Sequence, residues 1–220
     1  MKALLLGSIG TLSDTSELQR EAFNAAFLRH GLDWSWDRDD YRDMLRASGG
    51  QDRIETQAAA EGISVDAAAI HATKSAMFQE MLNQGRADPR PGVMDAIERA
   101  RADGTKLGFV TTTSRANVDS VLAALDIVPE TFDIITSSDD VTHGKPASEV
   151  YHLAAERLAV SRADCTVVED NVGGVRAALD AGMACIAWPN ENTADHDFGG
   201  VRVAGTNLGD TLYPATADAR

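Results

Sequence analysis

Between residues 93 and 188 the chain alternates short apolar runs with helical patterns, and that order is compatible with few folds. Val93–Ala102 reads as a helix and Lys106–Val110 (KLGFV) as a strand; residues 116–124 read as a helix and 132–136 (FDIIT) as a strand. Residues 148–158, 165–168, 173–181 and 184–188 continue the series as helix, strand, helix and strand. A further apolar run, residues 2–6 (KALLL), stops at Gly7 and has the continuous apolar character of a strand buried on both faces. Strand–helix–strand units with right-handed crossovers predict a parallel sheet whose strand C-termini share one edge, where α/β proteins bind ligands.

From Glu17 to about Ala87 no strand-like run occurs. Apolar residues recur at helical spacing instead: Leu18, Ala22, Ala25 and Ala26, then Tyr41, Met44 and Leu45, then Ile70, Met77, Phe78 and Met81. The pattern predicts four helices separated by Gly31, by Ser48-Gly49-Gly50 and by Gly62. The expected architecture is α/β. A Rossmann-like three-layer core with a parallel sheet takes residues 1–15 and 89–220, and a four-helix cap of residues 16–88 is inserted after the first strand. Residues from about Thr211 are expected to fray.

Charge narrows the function. The 34 Asp and Glu against 20 Lys and Arg leave a net charge of −14, a field that repels nucleic acids and anionic membranes. A locally basic pocket for a small anion remains compatible with it. Cys165 and Cys185 lie in apolar runs and read as buried thiols of a reducing compartment. The apolar start is too short for a signal sequence and no stretch approaches a membrane span, so the expected location is the cytoplasm.

The residues that follow the strands carry the chemistry. They are Gly7-Ser8-Ile9-Gly10-Thr11-Leu12, Thr111-Thr112-Thr113-Ser114, His143-Gly144-Lys145-Pro146 and Glu169-Asp170-Asn171, the last followed by Gly173-Gly174. Hydroxyls and an ammonium (Thr111, Thr112, Lys145) suit phosphate oxygens, and the acidic pair Glu169 and Asp170 suits Mg²⁺. Each piece also has a plain structural reading. The Thr run can cap the next helix, Lys145 can be a solvated loop residue, and the acidic pair can complement a helix dipole. His143 and His152 read as structural, and Trp34 and Trp36 as packing within the cap.

Taken in order, these motifs and GGVRAALDAGM (residues 173–183) resemble the haloacid dehalogenase superfamily of phosphohydrolases, and the helical insert is similar to its C1-type cap. Thr11-Leu12-Ser13-Asp14-Thr15-Ser16-Glu17-Leu18, Asp33-Trp34-Ser35-Trp36-Asp37, Tyr41 and Ser48-Gly49-Gly50-Gln51-Asp52-Arg53-Ile54 resemble the CbbY-like group, whose members act as xylulose-1,5-bisphosphate phosphatases. The resemblance implies substrate contacts at Glu17, Tyr41, Gly49, Gly50 and Arg53. Glu17 and Tyr41 read equally well as a surface carboxylate and a packing aromatic. The Gly49-Gly50 pair with Arg53 favours anion binding.

The chain departs from the family where turnover begins. The first motif of the family is Asp-x-Asp-Gly-Thr, its first Asp the nucleophile and Mg²⁺ ligand, its second the general acid and base. With Gly10-Thr11-Leu12 as anchor, Gly7 and Ile9 stand at those positions, and neither side chain can attack phosphorus or carry a proton. Ser8, between them, is expected to point away from both by strand alternation. Members of the group carry Lys and His where this chain has Gln51 and Gln19. The expectation is a protein that binds a phosphorylated sugar or a partner protein, of no readable identity, without efficient turnover, and whose Mg²⁺ binding is weak or absent. The competing expectations are an active Mg²⁺-dependent hydrolase and a structural interaction module.

Overall fold

The computed structural model describes residues 1–46 and 49–214; Ser48, part of the expected turn, lies outside them. Six strands form one parallel sheet: β1 (Ala3–Leu6), β2 (Lys106–Val110), β3 (Ile134–Thr136), β4 (Cys165–Glu169), β5 (Ala184–Ala187) and β6 (Arg202–Val203). Their spatial order is β3-β2-β1-β4-β5-β6. The central strand β1 shows why the layers are three. All four of its side chains are fully buried, and they alternate between two apolar clusters. Leu4 and Leu6 pack with α6 (Val93–Ala102) and α7 (Arg115–Ala124) on one face of the sheet. Ala3 and Leu5 pack with α8 (Glu149–Leu158) and α9 (Val172–Asp180) on the other.

After β1 come a single turn, α1 (Ile9–Leu12), and four longer helices: α2 (Ser16–Arg29), α3 (Arg38–Met44), α4 (Gly50–Glu61) and α5 (Ala67–Asn83). They enclose a cluster of their own around Phe23, Phe27, Trp36, Tyr41, Ile54 and Ile70. Trp36 is its centre, 4.8 Å from the Phe23 ring and 4.7 Å edge-on from Phe27. Trp34 packs edge-on against Phe27 at 5.3 Å, so both tryptophans do serve packing. Leu18, Ala22, Phe78 and Leu82 of α2 and α5 join Ile9 in the cluster beneath the sheet, which seats the helical block on the core.

Three expectations about the elements need correction. Strand β3 begins at Ile134 rather than at residue 132, because Phe132 closes a 3₁₀ turn (Pro129–Thr131). Strand β6 was missing from the pattern because it has two exposed residues and no apolar run. Fraying does not begin at Thr211, which lies inside α10 (Leu208–Leu212). The Asn207 side chain caps that helix and Leu208 is fully buried. Residues 215–220 lie outside the described part. No helix among the described residues is long and apolar enough to cross a membrane.

Candidate functional site

Because Leu6 pairs with Phe109 on one side and Val168 on the other, β1, β2 and β4 end at one level. Gly7, Thr111 and Asp170 follow directly, and a cleft of about 860 Å³ opens between this edge and the helical block. It collects Gly7, Ile9, Thr111, Thr112, Lys145 and Asp170 from the core and Tyr41, Gly49, Gly50 and Arg53 from the block. Glu17 and Glu169, the remaining residues singled out, do not line it.

Lys145 enters the edge from the loop before α8 and is only 9% exposed. Its ammonium donates to the carbonyls of Gly7 and of Val110 (2.7 Å), to the Tyr151 hydroxyl (3.1 Å) and to Glu169 Oε1 (2.6 Å). Tyr151 in turn donates to the same Glu169 oxygen at 2.6 Å. An ammonium has three protons, so four protein oxygens saturate Lys145 within the chain. Glu169 is fully buried, and burial pushes its carboxyl above the usual range while Lys145 pulls it down. This cluster occupies the space beside Gly7: a Cβ there would collide with the Glu169 carboxylate and the Tyr151 hydroxyl. The sequence expectation of Lys145 as a free phosphate cation and Glu169 as a metal ligand therefore meets a closed, buried ion pair.

Of the acidic pair, Asp170 is the residue that lines the cleft. Its Oδ1 accepts from Ser8 Oγ (2.6 Å) and Asn171 Nδ2 (2.8 Å), and its Oδ2 from Asn190 Nδ2 (2.9 Å). Ser8 thus points at Asp170 and lines the cleft, contrary to the alternation argument. The reason is that β1 ends at Leu6, so Ser8 sits at the N-cap of α1 and not on a pleat. Gly10 approaches the same carboxylate so closely that a Cβ would overlap Oδ2. Gly10→Ala is expected to displace Asp170 and lower stability by about 1–3 kcal/mol, read as a lower melting temperature.

The donor set does not fit a resident Mg²⁺. That ion takes six oxygens in a strict octahedron, usually from one or two carboxylates together with water and phosphate. At the sheet edge, among the described residues, Asp170 is the one carboxylate that lines the cleft, and both of its oxygens already accept hydrogen bonds from side chains; Asp52 lines it from α4. Among the described residues no group of three or more His, Cys, Asp or Glu could hold a metal.

The segment after β2 serves the capping reading. Ser114 caps α7 through Asn117 N–H, while Thr111 Oγ1 accepts from Thr113 N–H at 3.2 Å and orders the turn at the cleft. On the block, Tyr41 is buried and burial raises its hydroxyl pKa. Arg53 donates to the Met44 carbonyl (3.1 Å) and lies 6.0 Å from the Tyr41 ring centre. Glu17 instead bonds Arg20 (2.9 Å) and Asn192 (2.6 Å), a link from α2 to the loop after β5. Gln51 is exposed and donates to Glu55, whereas Gln19 lines the cleft and accepts from Lys74 at 2.9 Å. His143 and His152 bond Glu149 and Arg162, which serves local structure.

Sequence reasoning missed the loop after β5. Asn190 and Thr193 fix Asp170 through its carboxylate and its carbonyl (2.7 Å). Arg90 lies behind the edge, stacked 3.6 Å over Trp188 and donating to the carbonyls of Gly10, Trp188 and Pro189. The available signal was the polar run Asn190-Glu191-Asn192-Thr193 directly after an apolar strand.

A family model for haloacid dehalogenase-like hydrolases matches residues 1–182. Protein CbbY of Rhodobacter capsulatus is 38% identical over 203 residues, covering 90% of this chain and 89% of that protein. The crystal structure of CbbY from Rhodobacter sphaeroides in complex with phosphate superposes with a TM-score of 0.84 at 35% identity, covering 93% of this chain and 94% of that one. A point mutant of the same protein in complex with xylulose-1,5-bisphosphate matches with the same TM-score, identity and coverage.

Proposed function

Since the chain belongs to the haloacid dehalogenase-like hydrolases, in their CbbY-like group of sugar-phosphate phosphatases, we propose that it binds a sugar phosphate in the cleft without efficient turnover. The observation that carries this reading is the pair Gly7 and Ile9. At the place of the nucleophile there is no side chain, and the adjoining space belongs to Lys145, Glu169 and Tyr151. At the place of the acid and base, Ile9 is 6% exposed and shares an apolar cluster with Leu18 and Phe78. A phosphate could still be held at the sheet edge by the Thr111 and Thr112 turn, near Lys145. A second phosphate would meet Gly49, Gly50 and Arg53, with the block of residues 16–88 serving as the cap over residues 1–15 and 89–220. Tyr41 would wall the cleft between them.

Phosphatases of this family typically use Mg²⁺, and the donor set described above does not fit that ion. Ser8 is a poor substitute nucleophile. A phosphoryl group on its Oγ would stand against the Asp170 carboxylate, which is 2.6 Å away and would repel it.

A thermal melt tests the binding. A ligand at 100 times its dissociation constant adds about 2.7 kcal/mol, which is about 5–10 °C for a domain of this size. Xylulose-1,5-bisphosphate, bound by the mutant relative, is the first ligand to try. A melting temperature unmoved by millimolar sugar phosphates would leave the scaffold without the proposed role.

A further inference from the structure

The far end of the loop after β5 has no task in the reading above. Asn190 and Thr193, at its start, hold Asp170. Its later residues meet α3 of the helical block. Asp195 Oδ1 lies 2.8 Å from Arg42 Nη2, and Glu191 Oε1 lies 3.4 Å from Arg38 Nη2. These ion pairs lie toward solvent, where such pairs contribute little on their own. His196 differs. It is 6% exposed and bonds both sides of the contact, its backbone N–H donating to the Thr193 carbonyl and its ring Nε2 to the Arg42 carbonyl, each at 3.1 Å. Three buried polar atoms along this contact, His196 Nδ1, Asn192 Oδ1 and Arg42 Nε, have no hydrogen-bond partner among the described residues. Each is better served by water than by its present surroundings, which weakens the closed contact.

We infer that His196 is the proton-sensitive catch of a latch between this loop and α3, holding the helix while its ring is neutral and releasing it when the ring is protonated. A carbonyl only accepts, so the ring nitrogen at Arg42 carries the proton and Nδ1 is the bare nitrogen of the neutral ring. A second proton would place an N–H at Nδ1, buried in the contact, where no acceptor meets it. The charges acting on the ring are Arg42 of α3, Arg46 of the turn after it, and Asp195 of its own loop. Burial and the two arginines outweigh Asp195 and the Arg42 carbonyl, and hold the ring below the usual histidine range. Once released, the ring regains its ordinary value of about 6.5. The closed contact therefore has its full stability above about pH 6.5 and loses it as pH falls toward the lowered value. Helix α3 carries Tyr41, so its release opens one wall of the cleft.

No ligand takes part in this release, so it is tested on the chain alone and stands even if no sugar phosphate binds. Hydrogen exchange read by mass spectrometry on the full chain follows α3, with labelling times scaled for the intrinsic effect of pH, and peptides from β1 and β4 report global opening. From about pH 7.5 to about pH 5.5 the exchange of α3 is expected to rise severalfold, about tenfold at the most, because the released ring takes up its proton over that range. The β1 and β4 peptides should stay protected. His196→Gln keeps a neutral donor for the Arg42 carbonyl and does not titrate, so its α3 should exchange alike at both pH values. A proton–nitrogen correlation spectrum of the unmodified chain follows the ring itself and needs no variant. Its midpoint for His196 should lie below about 6.5, with α3 exchange climbing between that pH and the midpoint. Equal protection of α3 at both pH values would overturn the latch. So would acid release that persists in His196→Gln, or a His196 midpoint at or above the ordinary value. Should His196→Gln fail to fold, the ring midpoint and the exchange of the unmodified chain decide between the outcomes.

Discussion

Phosphate release by the unmodified chain, supplied with Mg²⁺ and either p-nitrophenyl phosphate or a sugar bisphosphate, is expected to stay at the protein-free rate. Losing a covalent nucleophile costs on the order of 10⁶-fold in kcat in an unrelated hydrolase, which sets the scale. On the proposed reading, the groups at the edge hold a phosphate but provide no attacking atom and no proton for the leaving sugar. Restoring both carboxylates, Gly7→Asp with Ile9→Asp, is expected to produce measurable release, and either change alone much less, because nucleophile and acid act as a unit. The structure adds a cost. The new Asp side chain must displace the ends of Glu169 and Tyr151 and compete for Lys145. An Asp at position 9 also enters an apolar cluster that includes Leu18 and Phe78. The double variant should therefore melt below the unmodified chain while gaining activity. Robust turnover by the unmodified chain, abolished by Asp170→Asn, would refute the proposed loss of catalysis.

Lys145→Met is expected to be the most damaging single change to stability. It leaves the fully buried Glu169 without its cation, and breaking such a pair costs about 3–5 kcal/mol. In a chain of this length that is roughly 6–20 °C in melting temperature. The loss should depend on pH in a definite direction. Burial already raises the folded pKa of Glu169 against the opposing pull of Lys145, so removing Lys145 raises it further. An acid with a raised folded pKa contributes its stability in full below its unfolded value, about 4.3, and loses it as pH rises through the folded value. The defect should thus be largest at alkaline pH and shrink on acidification toward pH 5. Adding Glu169→Gln should recover part of the lost stability at alkaline pH, because the neutral amide no longer needs a cation and still accepts from Tyr151. A variant that melts like the parent at every pH would show that the pair is not as desolvated as its burial indicates.

Much of this molecule is written in patterns a few residues long. Four leucine-rich residues buried on both faces make β1 a central strand wherever it is placed. The alternation that follows forces parallel pairing, and apolar residues at helical spacing yield α2 to α5. The resemblance anchored on Gly10-Thr11-Leu12 is likewise a matter of chain position, and the proposed register of Gly7 and Ile9 with the first motif follows from it without coordinates. Strand β6 and helix α10 escaped because short polar segments carry no periodicity. Only the tertiary structure could decide what each polar atom touches. Lys145 meets the carbonyl of Gly7, 138 residues away, and Ser8 meets Asp170 across 162. Glu17 and Glu169 carry the same side chain, yet the first is partly exposed and held below the usual range by Arg20 and Asn192, the second fully buried and raised. That difference is set by desolvation and by partners distant in sequence, and no local pattern encodes either.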